Sequence, residues 1–478
     1  MRDPLIRSVA IALIALAASI PAAAQTSPPP VTLDARMRAE VLDSLAAQLN
    51  RYYVEADTAR LIADHIQKRA KAKAYDADTQ PGAFAEHVTE DLRAINGDLH
   101  LSLRFDPERT SPLAGANGMP TRRVVGGPDG APPPQGAPSV VPGGSPVMVR
   151  TAPGGDRPRP SVPGARERNY GLSRLEILPG NIGYLEVSGF LEGPGVEEAL
   201  AAALQFLART DAVIIDVRRN GGGSGQMSHL LFSHFLGPDP VRTINVKSRI
   251  DDMNREMTSL AEVPGPRRPD VPLYVLTSRG TASAGEEFSF VLKNQGRAKI
   301  VGDRTAGAGH MVRSFDAPYG FMVGVSITRV SDPRTGREWE AVGVQPDVAV
   351  PSDRALAVAH AGALRELAAK ASGKPRATLE RQAAYVEARD ANRTPDAALI
   401  GRAAGTYDGD RLVNVQNGRL VYARGPAPGE ELVLLPDGTF SLRGEAKITF
   451  GAGSPAANVT IEQPDGTVRT FPRVKRSD

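Results

Sequence analysis

The sequence predicts a layered α/β core, preceded by a small helical domain and followed by a small all-β domain. Between about residues 170 and 370, apolar β-prone runs alternate with helical patterns, which is typical of βαβ units. Residues 35–95 carry apolar side chains at helical spacing, such as Leu45 and Leu49. The last 80 residues are short β-prone runs separated by Asn-Gly, Asp-Gly and Gly-rich turns, which indicates a small antiparallel barrel or sandwich.

Individual strands and helices of the core can be placed from the apolar patterns. Strands are expected near 182–187, 212–217, 243–248, 273–278, 298–302 and 321–328, and helices near 195–208, 225–236, 283–294 and 354–371. Around them we expect a helical domain over 35–106, a Gly/Pro-rich flexible insertion over 107–168, the core over 169–375, a linker helix over 376–398 and the β domain over 399–478.

The N-terminal residues indicate export. A basic start, an apolar run of about a dozen residues and a small-residue site ending at Ala24-Gln25 are typical of a secretory signal peptide over residues 1–24. A Pro-rich leader follows over 25–34, and the apolar run is too short for a membrane span. We therefore expect an exported protein, periplasmic or secreted. The oligomeric state is not readable.

Ser283 is predicted to lie at a strand-to-helix turn. The apolar run that begins at Leu273 ends at Arg279-Gly280, and a helix is expected to open on the residues around Ser283. A hydroxyl there stands beside the free N–H groups of a helix start, which favour a forming anion. The alternative is a plain capping box, Ser283 with Glu286.

A glycine-rich loop follows the strand that ends near Asp216. Its glycines begin at Gly221 and leave backbone N–H groups unshielded, as an oxyanion hole requires. The loop lacks both the Walker pattern and the third glycine of a dinucleotide fingerprint, so a nucleotide site is disfavoured.

These segments together resemble the tail-specific, or C-terminal-processing, serine protease superfamily (peptidase family S41), whose core is crotonase-like. The matching motifs are DVRRNGGG from Asp216, TASAGEEF from Thr281, GDRTAGAG from Gly302 and WEAVGVQPD from Trp339. The resemblance implies a peptidase that acts on a peptide or protein substrate. It also implies Ser283 as nucleophile, with the N–H groups of Gly221 or Gly222 and of Ala284 as oxyanion hole.

The superfamily has two branches, and this sequence resembles the one that lacks a catalytic lysine. Ala308 occupies the lysine position, and alanine accepts no proton. The motif that contains Asp98 and His100 is similar to that of the tricorn core peptidases and the interphotoreceptor retinoid-binding protein repeats, which implies His100 as general base. Glu340 would orient the machinery through Ser102 or Asp98. His310, two residues past Ala308, is a rival base.

Composition excludes several function classes. The net charge is only +3, and the sequence contains no basic stretch with interleaved aromatic residues. Nucleic acid is therefore not an expected partner. No H-E-x-x-H motif, no cysteine and no histidine pair at i, i+4 are present, so neither a metal nor another cofactor is expected. The alternative functions are a non-catalytic binder of apolar ligands or peptides and a scaffold that acts through the β domain.

Overall fold

The computed structural model describes residues 32–106, 162–250 and 252–474. The signal peptide, most of the Pro-rich leader and residues 107–161 of the predicted insertion lie outside the described residues. No helix within those described ranges is both long enough and apolar enough to cross a membrane.

Three N-terminal helices form the first layer: α1 (Ala35–Tyr52), α2 (Ala56–Lys71) and α3 (Pro81–Arg93). The Asp34 side chain accepts the Met37 N–H and caps α1, while proline occupies the first position of α3, where no N–H is needed. The apolar faces of the three helices bury one cluster together with strand β10 (Phe321–Ser331). The helical domain is therefore packed against a sheet that continues into the rest of the chain.

The central sheet has six strands: β2 (Leu172–Leu178), β3 (Ile182–Val187), β4 (Ala212–Asp216), β7 (Leu273–Thr277), β8 (Lys299–Gly302) and β11 (Val348–Ala349). Their order across the sheet is β11-β8-β7-β4-β3-β2, and all neighbours are parallel except β2 with β3. Successive residues of a strand point to opposite faces, so Val213 and Ile215 pack under one helical layer and Ile214 under the other.

Those two helical layers differ in what they carry. The first contains α4 (Val196–Phe206), α5 (Gly225–Ser233) and α6 (Ala284–Asn294). The second contains α7 (Ala355–Lys370) and α8 (Gly373–Asp390). The structure contains four of the predicted core strands within a few residues of the expected bounds, those near 182–187, 212–217, 273–278 and 298–302. The predicted helices near 195–208, 225–236, 283–294 and 354–371 are also present within a few residues of their expected bounds.

The strands expected near 243–248 and 321–328 form, but they belong to a second, antiparallel sheet rather than to the parallel core. This sheet contains β1 (Ser102–Phe105), β5 (Arg242–Ser248), β6 (Met253–Thr258), β9 (Met311–Ala317) and β10. Here β5 pairs with β6 and β9 with β10 as antiparallel neighbours. Apolar strand patterns do not reveal which sheet a strand joins.

The C-terminal part begins with α9 (Ala397–Ala403) and continues as two antiparallel sheets. The four-stranded sheet contains β12 (Gly405–Tyr407), β13 (Arg411–Gln416), β14 (Arg419–Arg424) and β15 (Glu430–Glu431). The five-stranded sheet contains β16 (Val433–Leu434), β17 (Phe440–Leu442), β18 (Ala446–Phe450), β19 (Asn458–Glu462) and β20 (Val468–Pro472).

The two motif loops leave the central sheet side by side. Strands β4 and β7 are paired in parallel, so their carboxyl ends meet at one edge of the sheet. The glycine loop follows β4, and the Ser283 turn follows β7. The topology therefore brings the predicted oxyanion loop to the predicted nucleophile.

Candidate active site

Ser283 occupies a backbone conformation that side-chain-bearing residues rarely adopt. Its φ and ψ are 52° and −121°, and α6 begins at the next residue. Such a conformation costs about 1–3 kcal/mol and persists only where the surroundings fix it. The side chain is half-buried at the start of the helix. Backbone strain of this kind clusters at functional sites.

Gly222 makes close contact with this turn. Its φ is +106°, and a Cβ on it would lie 2.7 Å from the Ser283 Cβ and 3.1 Å from the Ala282 carbonyl oxygen. Asn220 fixes the approach, because its side-chain Oδ1 accepts the Gly222 N–H at 2.8 Å and its carbonyl accepts the Ala282 N–H at 3.0 Å. Only glycine fits at position 222.

The three predicted oxyanion donors differ in their availability. The Gly222 N–H is already donated to Asn220. In the part of the chain that the structure describes, neither the Gly221 N–H nor the Ala284 N–H meets an acceptor. Gly221 is exposed, and Ala284 is the first residue of α6. Two unpaired donors therefore flank the Ser283 turn, and these two are kept as the oxyanion-hole candidates.

Glu286 is more than the cap that its spacing suggests. Its Oε2 accepts the Ser283 N–H at 2.9 Å and the Ala308 N–H at 2.7 Å. Its Oε1 accepts the Gly307 N–H at 2.7 Å and the Thr305 hydroxyl at 2.5 Å. Burial raises the pKa of this carboxyl despite the four donors. One buried side chain thus connects the Ser283 turn to residues 305–308. This role could not be predicted from local sequence, because three of the four partners lie 19–22 residues away.

The loop with Ala308 continues into the second half of the site. Glu340 Oε2 accepts the Gly309 N–H at 2.6 Å and the His310 N–H at 2.9 Å. A Cβ on Gly309 would lie 2.8 Å from the Glu340 backbone nitrogen, so this approach also depends on glycine. Burial first, and the nearby Asp98 carboxylate second, raise the pKa of Glu340 to about 7. Its other oxygen, Oε1, is buried without a partner among the described residues.

His310 is held by acidic side chains. Its Nδ1 lies 3.0 Å from Asp98 Oδ2 and 3.8 Å from Glu340 Oε2. Burial alone would lower the pKa of His310, but Asp98 and Glu340 outweigh it and raise that pKa. Burial would raise the pKa of Asp98, but its hydrogen bonds, first of all the one with His310, outweigh burial and lower that pKa. Tyr53, at the end of α1, donates its hydroxyl to the same Asp98 oxygen at 3.0 Å.

His100 reaches Asp98 through its backbone. Its N–H donates to Asp98 Oδ1 at 2.9 Å, while its side-chain Nδ1 is buried without a partner among the described residues. Burial lowers the pKa of His100, and His310 adds to that effect while Asp98 opposes it. Of the two suggested links to Glu340, Asp98 therefore contacts both histidines. Ser102 lies instead in β1 opposite Gly324, against which its hydroxyl packs.

The predicted residues fall into two groups joined by one loop. Ser283 belongs with Glu286 and the glycine loop, and Asp98 belongs with the two histidines and Glu340. Ala308, Gly309 and His310 are consecutive and connect the groups. Asp98, His310 and Glu340 also bring one ligand atom each to within 4.8 Å of one another, the arrangement among the described residues that could hold a metal ion. Their hydrogen bonds to one another and to the loop already account for that proximity.

Comparison with known proteins identifies the central part of the chain. The description "Peptidase family S41" matches residues 181–350. The carboxy-terminal processing protease CtpB of Bacillus subtilis is 28% identical over 180 residues, which are 37% of this chain and 36% of the relative. The chloroplastic C-terminal processing peptidase of Tetradesmus obliquus is 30% identical over 198 residues, 39% of this chain and 36% of the relative.

Among solved structures, the photosystem II D1 C-terminal processing protease is 19% identical, and the match covers 66% of this chain and 93% of that one with a TM-score of 0.37. The chain spans well under half the length of the curated relatives that it matches. The family match at residues 181–350 contains Ser283, Glu286, His310 and Glu340, whereas Asp98 and His100 lie outside it.

Proposed function

Because this chain belongs to the S41 tail-specific protease superfamily, we propose that it is a serine peptidase in which Ser283 attacks the carbonyl of a peptide or protein substrate. The observation that carries the proposal is the strained Ser283 turn, flanked by the unpaired N–H groups of Gly221 and Ala284. Those two donors would hold the oxyanion that forms when Ser283 Oγ adds to the carbonyl.

We propose His100 as the general base. A base must be uncharged to accept the serine proton, and the lowered pKa of His100 keeps its imidazole neutral near pH 7. His100 would then return the proton to the leaving amine, as a base that becomes an acid does in serine proteases.

His310 is less suited to that role. Its pKa is raised by two carboxylates, so a larger share of it is already protonated at neutral pH. Its Nδ1 is also engaged with Asp98. We propose that His310 is a positioning residue, which together with Glu340 fixes the loop beside Ser283. An imidazolium there would also lower the pKa of His100, as the nearby positive charge does.

The role proposed for Glu340 follows from its contacts. Its carboxylate receives the N–H groups of Gly309 and His310, so it shapes the loop that carries Ala308 to the nucleophile turn. Asp98 completes the connection, because it bonds the backbone of His100 and the ring of His310. This route from Glu340 to His100 goes through His310 and Asp98.

We also propose that the protein is exported and that residues 1–24 are removed. The basic start and the Ala-rich end of that segment support this part of the proposal. N-terminal sequencing of the protein recovered from a periplasmic fraction would test it. A mature chain beginning at Met1 would contradict it.

The direct test of the peptidase proposal uses Ser283→Ala on a casein substrate. Ser289→Ala is a matched control, because this hydroxyl on the same helix donates to the Gly285 carbonyl, away from the proposed reaction. The proposal expects hydrolysis to vanish in the first variant and to persist in the second, with unchanged circular dichroism spectra. Hydrolysis at the parent rate by Ser283→Ala would overturn it.

The second candidate function is a non-catalytic binder of apolar ligands or peptides, because the branch that this chain resembles includes retinoid-binding repeats. The buried, unpaired Glu340 Oε1 and the charged His310 cluster argue against an apolar cavity at this point of the fold. A parent protein that binds peptides but cuts none would favour the binder.

A further inference from the structure

Glu287 is a buried carboxyl group that the proposed reaction does not use. Only 7% of the residue is exposed, and no hydrogen bond or ion pair to its carboxyl is found within the described residues. Burial is the sole cause that raises the pKa of Glu287 to about 8. Buried carboxyl groups normally have partners, because an unpaired charge is costly away from water. The Glu287 oxygens are not among the fully enclosed polar atoms that lack a partner, so the small exposed part of the residue includes its carboxyl group, which a ligand can reach.

Helix geometry puts Glu287 close to the nucleophile. The Glu287 N–H donates to the Ser283 carbonyl at 3.0 Å, so the two residues are one helical turn apart. Ser283 itself is not helical, so this hydrogen bond, rather than a shared helix face, places Glu287 in the first turn of α6 next to the Ser283 turn.

The glycine loop runs along both residues. At one end Gly222 lies against the Ser283 Cβ, and at the other a Cβ on Gly225 would be 3.5 Å from Glu287 Oε2. Gly225 is the first residue of α5, whose cap Ser224 accepts the Met227 N–H. The wall that carries the candidate oxyanion donor Gly221 thus continues, without side chains at 221–223 and 225, to the Glu287 carboxyl.

We propose that Glu287 is a specificity-determining residue that receives the cationic side chain, lysine or arginine, of the substrate residue whose carbonyl Ser283 attacks. This inference rests on the proposed function. A long side chain leaving that residue would run along the glycine wall, and its ammonium or guanidinium group would meet the carboxyl. The arriving cation favours the ionised acid, and the proton is released to solvent.

The chemistry of the site favours a cation over an apolar side chain. A hydrocarbon end group would leave the carboxyl buried without a partner, whereas a cation supplies donors and the opposite charge. Sites built to bind a polar group reject analogues that lack it far more strongly than apolar pockets distinguish methylene groups. Glu287 would therefore discriminate lysine from an uncharged side chain of the same length.

The test measures binding separately from turnover. Two fluorescent peptides that differ only in lysine or norleucine at the central position are titrated into Ser283→Ala and into Ser283→Ala/Glu287→Gln, and fluorescence anisotropy gives both Kd values. We expect the lysine peptide to bind at least about 10-fold more tightly to the first protein and the two peptides to bind about equally to the second.

A matched control and a cleavage map complete the design. Glu192→Gln changes another buried carboxylate near the loop, one that already accepts the Ser224 hydroxyl, and should keep the lysine preference. Mass spectrometry of a peptide mixture cut by the parent should show Lys and Arg before the cleaved bonds, and Glu287→Gln should lose that bias.

Equal binding of both peptides to Ser283→Ala, no binding of either, or a lysine preference that survives Glu287→Gln would overturn the inference. If the parent cuts no peptide while the Glu287-dependent lysine preference in binding is present, the peptidase proposal fails and this site stands. If the parent cuts peptides without a preference for Lys or Arg before the cleaved bond, the peptidase proposal stands and the inference about Glu287 fails.

Discussion

Ser283 and Ala308 donate their backbone N–H groups to the same oxygen, Glu286 Oε2, at 2.9 and 2.7 Å. Ala308, at the position of the lysine in the branch that this sequence does not resemble, is thus held beside the turn of the proposed nucleophile. Alanine has no basic group, so in the proposed mechanism the serine proton goes to another residue.

Glu286→Gln should cost both activity and stability. The amide of glutamine brings N–H groups where the carboxylate receives four donors, so at least one buried donor loses its partner at about 1–3 kcal/mol. We expect kcat/KM to fall by about two orders of magnitude and Tm to fall as well, since the loop at 305–308 would loosen. Glu256→Gln is the control, because that exposed carboxylate pairs, among the residues that the structure describes, only with exposed Arg242. Parent-like kinetics in Glu286→Gln would show that the shared oxygen is dispensable.

The two histidines should behave differently when each is replaced by alanine. His100→Ala removes the proposed base and should lower kcat by about 10²–10⁴-fold with little change in Tm. His310→Ala leaves Asp98 buried without its main partner, so it should lower Tm clearly and kcat less. Steady-state kinetics and thermal melts of both variants distinguish the roles. An inactive, stable His310→Ala with an active His100→Ala would reverse the assignment.

The pH dependence follows from the direction of the His100 shift. The neutral imidazole is the reactive form, and its pKa lies below the ordinary 6.5. Activity should therefore be lost as pH falls through a midpoint below 6.5 and should be nearly level between pH 7 and 8. A kcat/KM profile with its midpoint above 6.5 would point instead to a base whose pKa is raised, as that of His310 is.

Ala308→Lys should not make a better enzyme. The new ammonium group would stand near two histidines and disfavour the imidazolium that forms when His100 takes the proton. We expect kcat/KM to fall or at best to stay level on one peptide substrate. Rescue of His100→Ala by the added lysine would mean only that the dyad geometry persists. A single Ala308→Lys variant faster than the parent would contradict the histidine mechanism.

Local sequence patterns predicted helices and strands well where the apolar residues followed a single helical or strand-like spacing. The strand that ends at Thr277 and the helix that begins at Ala284 were both expected, because an apolar run and a helix start adjoin there. Assignment of strands to sheets was not predictable, since the runs at 242–248 and 321–331 read like core strands but pair with each other in the antiparallel sheet.

The site was predictable as a set of residues but not as a set of contacts. Motif resemblance singled out Ser283, His100 and Glu340, yet the hydrogen bond between His310 and Asp98 spans 212 positions and leaves no local trace. The occupied Gly222 N–H is likewise a product of the Asn220 side chain, which the glycine pattern does not reveal. Glu286 and Glu287 stand next to each other, but one is fully partnered and the other is not.

The most direct measurement is reaction of the intact protein with a fluorophosphonate, followed by mass spectrometry of the labelled peptide. An activated serine forms a covalent adduct, whereas a serine that only caps a helix does not. The account predicts one adduct, on Ser283, that forms much more slowly in His100→Ala. No adduct, or an adduct on a different serine, would contradict it.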